Sequence, residues 1–459
     1  MTATGTAESS SAPALSKLFL RAADGLSSPR AGASLSDDVA RLLQSLEYDS
    51  EPETPDVGAN RAALLRVAAL FSRVFQLGAP EAPGLVFFGG EVAPSMIAPD
   101  HAQAPLTGVG GMGLSMRTAF ESCIGEGVEY LSQFEVGDEA LVVSSAAEIQ
   151  QAAKGEGRRF LEVLLPATEA AAQPRFDCLV AKALLDDAKM LLPAEICLRR
   201  SPGRSRMTPP FLLSMGCAAG PTKADAVLHG LCELVERDAA GLWWRGGMRG
   251  RPLALDDPAS GDAAVLLAKL RQENASRRTW LLDITTDLGI PAIAAVSCRA
   301  DGKGFACGLG ARPTVSGAVR GAIMELCQSE LAHAVVAVKE AESGTERLND
   351  RDRAHIARAT QIDAGACALL HPLGVPARRE VCAAEDAVSQ IGWIATRLAQ
   401  ANIETFVIDL TRPRFAVPVV RVVAPGLQIE PSKLESPRLQ RAIAATGGGH
   451  LHTGGLQLF

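Results

Sequence analysis

Apolar residues recur along this chain with two periods, and each period predicts a different kind of element. A spacing of three and four predicts amphipathic helices over residues 35–47, with Ser36 as the N-cap, and over Ala62–Leu77. Short alternating or continuous apolar runs predict strands at Gly84–Phe88, Glu139–Ser144, Thr279–Asp283, Pro291–Ser297, Ile403–Asp409 and Val417–Val423. Because helices and strands alternate, the pattern predicts an α/β protein with mixed sheets.

The two ends of the chain differ in composition from its middle. Residues 1–14 are rich in Ala, Ser and Thr and are predicted to be disordered, and the acidic, Pro-containing stretch Tyr48–Asn60 has the composition of a linker. The Gly-rich end, Gly447–Phe459, is predicted to be loose. We therefore expect a partly disordered extension with one short helix (1–60), a helix leading into the core (61–80), one main domain (81–445) and a Gly-rich tail (446–459).

One template occurs three times in the main domain. In each copy a Ser or Thr stands four residues before an Ala, a Glu follows seven residues after that Ala, and a second acid or amide comes three residues later. The copies are Ser115, Ala119, Ser122, Glu126 and Glu129; Thr222, Ala226, His229, Glu233 and Glu236; and Thr314, Ala318, Gly321, Glu325 and Gln328. The Ser or Thr is a suitable helix N-cap. The repeat predicts three related units arranged around one site.

The paired glutamates carry the chemistry of this prediction. Residues at i and i+3 lie on one face of a helix, so Glu126 pairs with Glu129 and Glu233 with Glu236. Carboxylates close together beside apolar neighbours repel each other and resist desolvation, and Mg²⁺ with a bound nucleotide relieves both problems. Two facing pairs would hold two ions on one nucleotide. Glu325 and Gln328 would complete the ring, and the adjoining Arg237 would clamp a phosphate.

The pattern alone leaves alternatives open. Glutamates at i and i+3 are also common on solvated helix faces, where they bind nothing. The glycine-rich segment Gly108–Gly113 before the first motif helix fits a phosphate cradle, in which glycine lets backbone N–H groups approach a ligand. It fits a plain flexible loop equally well.

Charge and cysteine usage narrow the function class. The 459 residues carry a net charge of −7, which provides no general attraction to nucleic acid. The ten cysteines include no C-x-x-C pair, the N-terminus has no secretory signal pattern, and no apolar run is long enough to span a membrane. We therefore expect a cytoplasmic protein that binds neither nucleic acid nor membrane.

Four segments resemble the YcaO family. The central signature is similar to Ser214–Gly220 followed by Leu231–Asp238, and the first family motif to Ser122, Glu126 and Glu129. Arg320–Gln328 resembles the third motif helix, and Ile408–Arg412 with Val417–Leu427 resembles the closing strand and turn. The likeness runs in the right order over roughly residues 80–440, so the main domain is expected to be the family's ATP-binding catalytic domain.

The resemblance implies ATP and Mg²⁺ as cofactors. It makes Glu126, Glu129, Glu233 and Glu236 magnesium ligands, and it places Ser122, Arg237, Glu325, Gln328 and Arg421 at the nucleotide. Arg237, Glu325 and Arg421 would be the catalytic residues. Family members activate a backbone amide of a ribosomally made precursor peptide by phosphorylating the amide oxygen, and the product is an azoline or a thioamide.

The chain also departs from the family pattern. Met112 stands where a Lys is common, Tyr130 replaces a frequent Arg, and the C-terminus has no Pro-x-Pro-x-Pro. The last departure weakens the case for azoline formation and keeps thioamidation open. A non-catalytic accessory protein and ATP-dependent peptide hydrolysis are the alternatives. We expect a separate partner protein, either E1-like and leader-binding or TfuA-like, and by resemblance a homodimer.

Overall fold

The computed structural model describes residues 12–27, 35–48, 54–101, 104–165, 174–186, 188–376 and 382–459. The chain forms two compact units. The first comprises Met1–Leu77, Val86–Ser132 and Thr411–Pro418, and the second comprises Gly78–Leu85, Gln133–Leu410 and Val419–Phe459. The disorder predicted for residues 1–14 falls mostly outside the described residues, which begin at Ala12.

Helices and strands alternate along both units, which confirms the α/β prediction. The helices are α1 (Ala12–Ser27), α2 (Asp37–Ser45), α3 (Pro55–Ala68), α4 (Met116–Ser132), α5 (Ala146–Ala152), α6 (Gly155–Leu164), α7 (Lys223–Trp244), α8 (Ala263–Arg271), α9 (Val315–Ser343), α10 (Asp350–Gln361), α11 (Ala387–Gln400), α12 (Pro437–Thr446) and α13 (His450–Thr453). The strands are β1 (Arg73–Leu77), β2 (Val86–Val92), β3 (Thr107–Gly113), β4 (Val142–Ser145), β5 (Arg175–Ala183), β6 (Lys189–Pro193), β7 (Cys217–Ala219), β8 (Arg251–Leu253), β9 (Arg278–Asp283), β10 (Ala292–Cys298), β11 (Ala306–Ala311), β12 (Phe406–Asp409) and β13 (Val419–Val423).

The first unit is built on a three-stranded sheet in the order β1-β2-β3, with α4 packed against β2 and β3. Helix α4 approaches β3 closely at Gly111, where a Cβ would lie 2.0 Å from the backbone nitrogen of Cys123. Only glycine, which has no Cβ, permits this approach. The fully buried ring of Phe120 meets the rings of Phe19 and Phe88 at centroid distances of 5.9 and 5.7 Å. This packing seats the first copy of the repeat on the sheet.

Two sequence predictions near the N-terminus are corrected. The helix predicted over Ala62–Leu77 begins earlier, at Pro55, where the hydroxyl of Thr54 accepts a hydrogen bond from Val57 N, and it ends at Ala68. The stretch assigned to a linker therefore contributes its last residues to α3. The residues expected to end that helix form β1 instead, because β2 supplies antiparallel backbone partners from Arg73 to Leu77. The short helix after Ser36 is confirmed as α2.

The second unit contains two sheets. One has the order β11-β10-β9-β8, and the other has the order β4-β5-β12-β13-β7 with β6 paired to β5. Helix α9 packs on β10 and β11, whereas α7 contacts β10 and β11 of one sheet and β7 and β13 of the other. The buried rings of Trp244 and Phe305 stack at 5.5 Å between centroids. All ladders between the named strands are antiparallel, so the sheets are not mixed in direction.

The six predicted strands each overlap an observed one, namely β2, β4, β9, β10, β12 and β13. Strands β3, β7 and β11 escaped prediction because Gly and Ala dominate their sequences and have low strand propensity. These three strands are the ones that directly precede the motif helices. Their small residues therefore allow a helix to pack closely, although they lower the strand propensity of the sequence.

The Gly-rich tail is ordered against the second unit, which corrects the expectation of a loose end. The tail contains α13, and Trp244 Nε1 donates a hydrogen bond to the Leu456 carbonyl at 2.6 Å. Leu456, Leu458 and Phe459 pack against the core of this unit. Among the described helices, none combines the length and the apolar character needed to cross a membrane.

Candidate functional site

Helix α7 carries the second copy of the repeat and presents two carboxylates in the second unit. Its N-cap is Thr222, as the template predicted, and the Thr222 side chain also forms a capping box with Asp225. Glu233 Oε2 accepts a hydrogen bond from Gly216 N at 3.0 Å, and Glu236 Oε2 accepts one from Ala311 N at 3.3 Å. A backbone N–H of the turn before β7 and one at the end of β11 thus orient the pair.

Helix α9 carries the third copy in the same unit. Its N-cap Thr314 accepts a hydrogen bond from Gly317 N, again as predicted. Glu325 Oε2 accepts a hydrogen bond from Leu309 N of β11 at 2.8 Å, and Gln328 lies half-buried one turn further along the helix. Because β11 contacts both Glu236 and Glu325, one strand holds carboxylates from two helices together.

Arg237 is the cation of this group. Its guanidinium lies 3.8 Å from Glu233 Oε1 and 3.8 Å from Glu236 Oε1, which is too long for a hydrogen bond. Its buried Nε has no hydrogen-bond partner in the described structure. On another side the guanidinium carbon lies 4.2 Å from the ring centroid of Phe459. Arg237 is therefore held near the carboxylates with hydrogen-bonding capacity left over.

The carboxylates are electrostatically unsatisfied. Burial raises the pKa of Glu233 to about 6, although Arg237 acts in the opposite direction. Burial also raises the pKa of Glu325, and repulsion from Glu236 adds to it. A single half-buried Arg237 does not compensate three carboxylates, so an added cation would be favourable here.

The donor chemistry of this group suits Mg²⁺. Carboxylate oxygens are preferred Mg²⁺ ligands, and the ion is usually held by one or two carboxylates together with waters and substrate phosphates. In the described part of the chain, no three His, Cys, Asp or Glu side chains converge tightly enough to hold a metal ion by themselves. Glu233 and Glu236 thus fit an ion shared with phosphate rather than an all-protein cage.

Arg421 is placed differently from the expectation that it contacts a nucleotide. Its side chain is fully buried, and its Nε donates to Cys197 O at 3.0 Å and its Nη1 to Met215 O at 2.9 Å. Its Nη2 donates to Leu213 O. The peptide that joins Met215 to Gly216 therefore meets Arg421 through its carbonyl and Glu233 through its N–H. This arrangement makes Arg421 a residue that positions Glu233.

Helix α4 carries the first copy of the repeat, in the first unit. Ser115 precedes it and accepts a hydrogen bond from Thr118 N at 3.2 Å, so the predicted cap is present. Ser122 and Glu126 are exposed, and Glu129 is half-buried. Glu126 Oε2 accepts a hydrogen bond from Gly110 N of β3 at 2.7 Å. In each copy, then, the leading glutamate is bonded to backbone just before its helix.

The segment Gly108–Gly113 is not an open loop. It lies within β3, which pairs with β2 from Thr107 to Gly113. A Cβ at Gly113 would lie 2.8 Å from Ala119 N, so the glycine permits close helix packing. The hydroxyl of Tyr130 lies 2.8 Å from the Thr107 hydroxyl, with which it hydrogen bonds. The phosphate-cradle and flexible-loop interpretations are both replaced by a strand.

Two features of the site were not predicted. Phe459 lies too far along the chain for any local pattern to link it with Arg237. Arg312 follows β11 and lies beside the motif helices, and its position before the third cap was the only available signal. The backbone donors Gly216, Leu309 and Ala311 lie beside or within the Gly- and Ala-rich strands β7 and β11, which precede α7 and α9.

The fold and the site define an α/β protein with glutamates on N-capped helices. These helices pack closely against glycine-containing strands. Residues 110–428 match the family model described as "YcaO cyclodehydratase, ATP- and Mg²⁺-binding". The chain belongs to the YcaO family, which confirms the resemblance seen in the sequence. The family binds ATP and Mg²⁺.

Relatives and solved structures agree with this assignment. An "uncharacterized protein in tfuA 3'region" of Rhizobium leguminosarum bv. trifolii is 35% identical over 227 residues, or 47% of this chain and 53% of the relative. The chain thus spans about half the length of this curated relative. Two solved structures share the fold. A heterocyclase in complex with substrate and cofactor has a TM-score of 0.66 at 24% identity, covering 87% of this chain and 55% of that one. YcaO from Methanopyrus kandleri, bound with AMPPCP and Mg²⁺, has a TM-score of 0.53 at 19% identity, covering 78% and 86%.

Proposed function

We propose that this protein uses ATP and Mg²⁺ to activate a backbone amide of a ribosomally made precursor peptide by phosphorylating the amide oxygen. The observation that carries the proposal is the carboxylate group of the second unit, in which Arg237 lies 3.8 Å from both Glu233 and Glu236. The buried carboxylates carry more negative charge than Arg237 neutralises, and the Arg237 guanidinium has unused hydrogen-bond donors. Both features suit a ligand that contains a metal ion and phosphate. Membership of an ATP- and Mg²⁺-binding family supports the same ligand.

Each site residue has a proposed role. Glu126, Glu129, Glu233 and Glu236 bind Mg²⁺, and Arg237 binds a phosphate as a bidentate donor. Ser122, Glu325 and Gln328 lie at the nucleotide. Arg421 acts through the Met215–Gly216 peptide, which orients Glu233, rather than by touching the reacting atoms.

The proposed chemistry converts the amide oxygen, which is a poor leaving group, into phosphate, which is a good one. A nucleophile adds to the amide carbonyl, the amide oxygen takes the terminal phosphoryl group of ATP, and ADP departs. Loss of the phosphorylated oxygen as phosphate then leaves an azoline when the nucleophile is a Cys, Ser or Thr side chain, or a thioamide when it is sulfide. Bound Mg²⁺ would stabilise the negative charge on the transferring phosphoryl group.

A separate partner protein is part of the proposal. The name of the Rhizobium relative places it beside tfuA, which supports a TfuA-like partner. With such a partner we propose a thioamide product. The alternative is an E1-like, leader-binding partner together with an azoline product. Mass spectrometry of the peptide separates them, because an azoline is lighter by one water, a thioamide exchanges oxygen for sulfur, and hydrolysis gives two fragments.

A non-catalytic accessory role is the second candidate. The two departures from the family pattern near the first motif, Met112 and Tyr130, both lie in the first unit. Met112 belongs to β3, and Tyr130 is hydrogen bonded to Thr107. An accessory protein would give no ATP hydrolysis even when partner and peptide are present.

Calorimetric titration of ATP with Mg²⁺ tests the proposal. The variant Glu233→Gln/Glu236→Gln keeps oxygen acceptors for Gly216 N and Ala311 N but removes two charges, and we expect its ATP affinity to fall more than about a hundredfold. The matched control is Glu342→Gln/Glu346→Gln, which removes two charges from exposed positions in the same unit. Undiminished binding by the first variant would exclude the glutamates as the site. Absence of binding by the wild type would favour the accessory role.

A further inference from the structure

Arg312 lies beside the carboxylate group of the second unit without being part of the repeat. It directly follows β11, and its backbone nitrogen donates to Pro291 O at 3.1 Å. Its Nη1 donates to Ala311 O at 2.6 Å, while Ala311 N donates to Glu236. The residue that anchors Glu236 is therefore also the residue that anchors the Arg312 side chain.

The Arg312 guanidinium lies beside the position of the third repeat copy that has no side chain, which is Gly321. Four residues before the leading glutamate, the three copies have Ser122, His229 and Gly321. A Cβ on Gly321 would lie 4.0 Å from Arg312 Nη2, so the guanidinium stands over α9 one turn before Glu325. A side chain longer than that of Ala at position 321 would compete for this space.

The charge of Arg312 also acts on a residue of α7. Desolvation lowers the pKa of His229, and the positive charge of Arg312 acts in the same direction. His229 lies one turn before Glu233 on α7, just as Gly321 lies one turn before Glu325 on α9. The positive charge of Arg312 therefore acts on α7 as well, while its measured contact is with α9 at Gly321.

The hydrogen-bonding capacity of Arg312 is largely unused. Its side chain is half-buried, it makes no ion pair with a carboxylate in the described part of the chain, and its side-chain hydrogen bond is the one to Ala311 O. A guanidinium has five N–H donors in a fork that matches phosphate oxygens. A fork left largely free over α9, one helical turn before Glu325, suits an anion that arrives together with a metal ion.

We propose that Arg312 is a second phosphate-binding guanidinium, which together with Arg237 contacts the phosphate chain of ATP. The inference rests on the proposed function and deepens it by adding a residue outside the repeat. Its basis is the position of the Arg312 fork over Gly321, one helical turn before Glu325, and the anchoring of both Arg312 and Glu236 by Ala311. The competing explanation is structural, with Arg312 serving only to hold the Ala311 carbonyl.

Calorimetry with two nucleotides separates these explanations. With Mg²⁺ present, we expect Arg312→Gln to weaken ATP binding by about ten- to a hundredfold, the worth of a charge-assisted hydrogen bond to phosphate. AMP binding should change by less than about twofold, because AMP lacks the β- and γ-phosphates. Arg312→Lys, which keeps the charge but not the fork, should be intermediate. The control Arg347→Gln removes an exposed positive charge of the same unit outside the motif segments and should bind like wild type.

Three other outcomes would overturn the inference. ATP affinity equal to that of the wild type in Arg312→Gln would show that the fork does not meet phosphate. An equal loss for ATP and AMP with a lower melting temperature would assign Arg312 to the support of Ala311. If the wild type itself failed to bind ATP, the proposed function would fall first and this inference with it.

Discussion

Arg421 shows how a single residue acts through the backbone. The sequence resemblance placed it at the nucleotide, yet its guanidinium contacts carbonyls of Cys197, Leu213 and Met215. The last of these carbonyls belongs to the peptide whose N–H reaches Glu233. No local pattern reveals this, because Arg421 and Met215 lie more than two hundred positions apart in the chain.

Replacing Arg421 tests its structural contribution. In Arg421→Met three carbonyls lose a donor at a fully buried position, and each unsatisfied group costs about 1–3 kcal/mol. We expect the free energy of unfolding, measured with urea, to fall by more than about 3 kcal/mol. Arg320→Met, at an exposed position, should stay within about 0.5 kcal/mol of wild type. Equal stability of Arg421→Met and wild type would contradict the assigned role.

At the scale of elements, the motif helices depend on the strands that precede them. Each of these strands contains small residues where the following helix approaches, such as Gly111 below α4 and Gly308 below α9, where a Cβ would lie 2.0 Å from Leu326 N. The helices, their caps and their carboxylates could be predicted, because caps and periodicity are local signals. The glycine strands could not, because only the packed helix explains their composition.

Two glycines of β3 provide a matched test of this packing. Gly111→Ala places a Cβ against the backbone of α4, and we expect a loss of about 1–3 kcal/mol in unfolding free energy from the resulting displacement. Gly108→Ala adds the same methyl group to the same strand where nothing lies within 4 Å. It should change stability by no more than about 0.5 kcal/mol. Similar losses in both variants would attribute the effect to strand propensity rather than to helix packing.

At the scale of the whole molecule, we expect acid stability to depend on a histidine pair that joins two helices. His333 on α9 and His355 on α10 form an edge contact with 5.6 Å between ring centroids. Burial lowers the pKa of His333 to about 3, and the neighbouring His355 and three arginines act in the same direction. The folded protein therefore keeps this imidazole neutral at pH values where the unfolded chain protonates it.

This pKa shift has a defined consequence for stability. Because the unfolded histidine titrates near 6.5, the contribution of His333 is complete above that pH and is lost as the pH falls toward 3. The limiting slope for one such group is about 1.4 kcal/mol per pH unit. We expect His333→Gln to flatten the decline of the urea midpoint between about pH 6.5 and about pH 4. His452→Gln, in the tail, should leave that decline unchanged, and a decline as steep in His333→Gln as in wild type would count against the assignment.

Local signals in the sequence determined the helix caps, the repeat, the glutamate pairs and, through them, the family. Tertiary structure alone decided which carboxylates share a strand, which arginine meets them and which arginine only supports them. It also decided that the Gly-rich segment Gly108–Gly113 is a strand and that the tail brings Phe459 onto Arg237. The physical reason is the range of each interaction. A cap or a helical face is set by residues within a few positions, whereas charge neutralisation and burial depend on groups that meet only when distant segments pack.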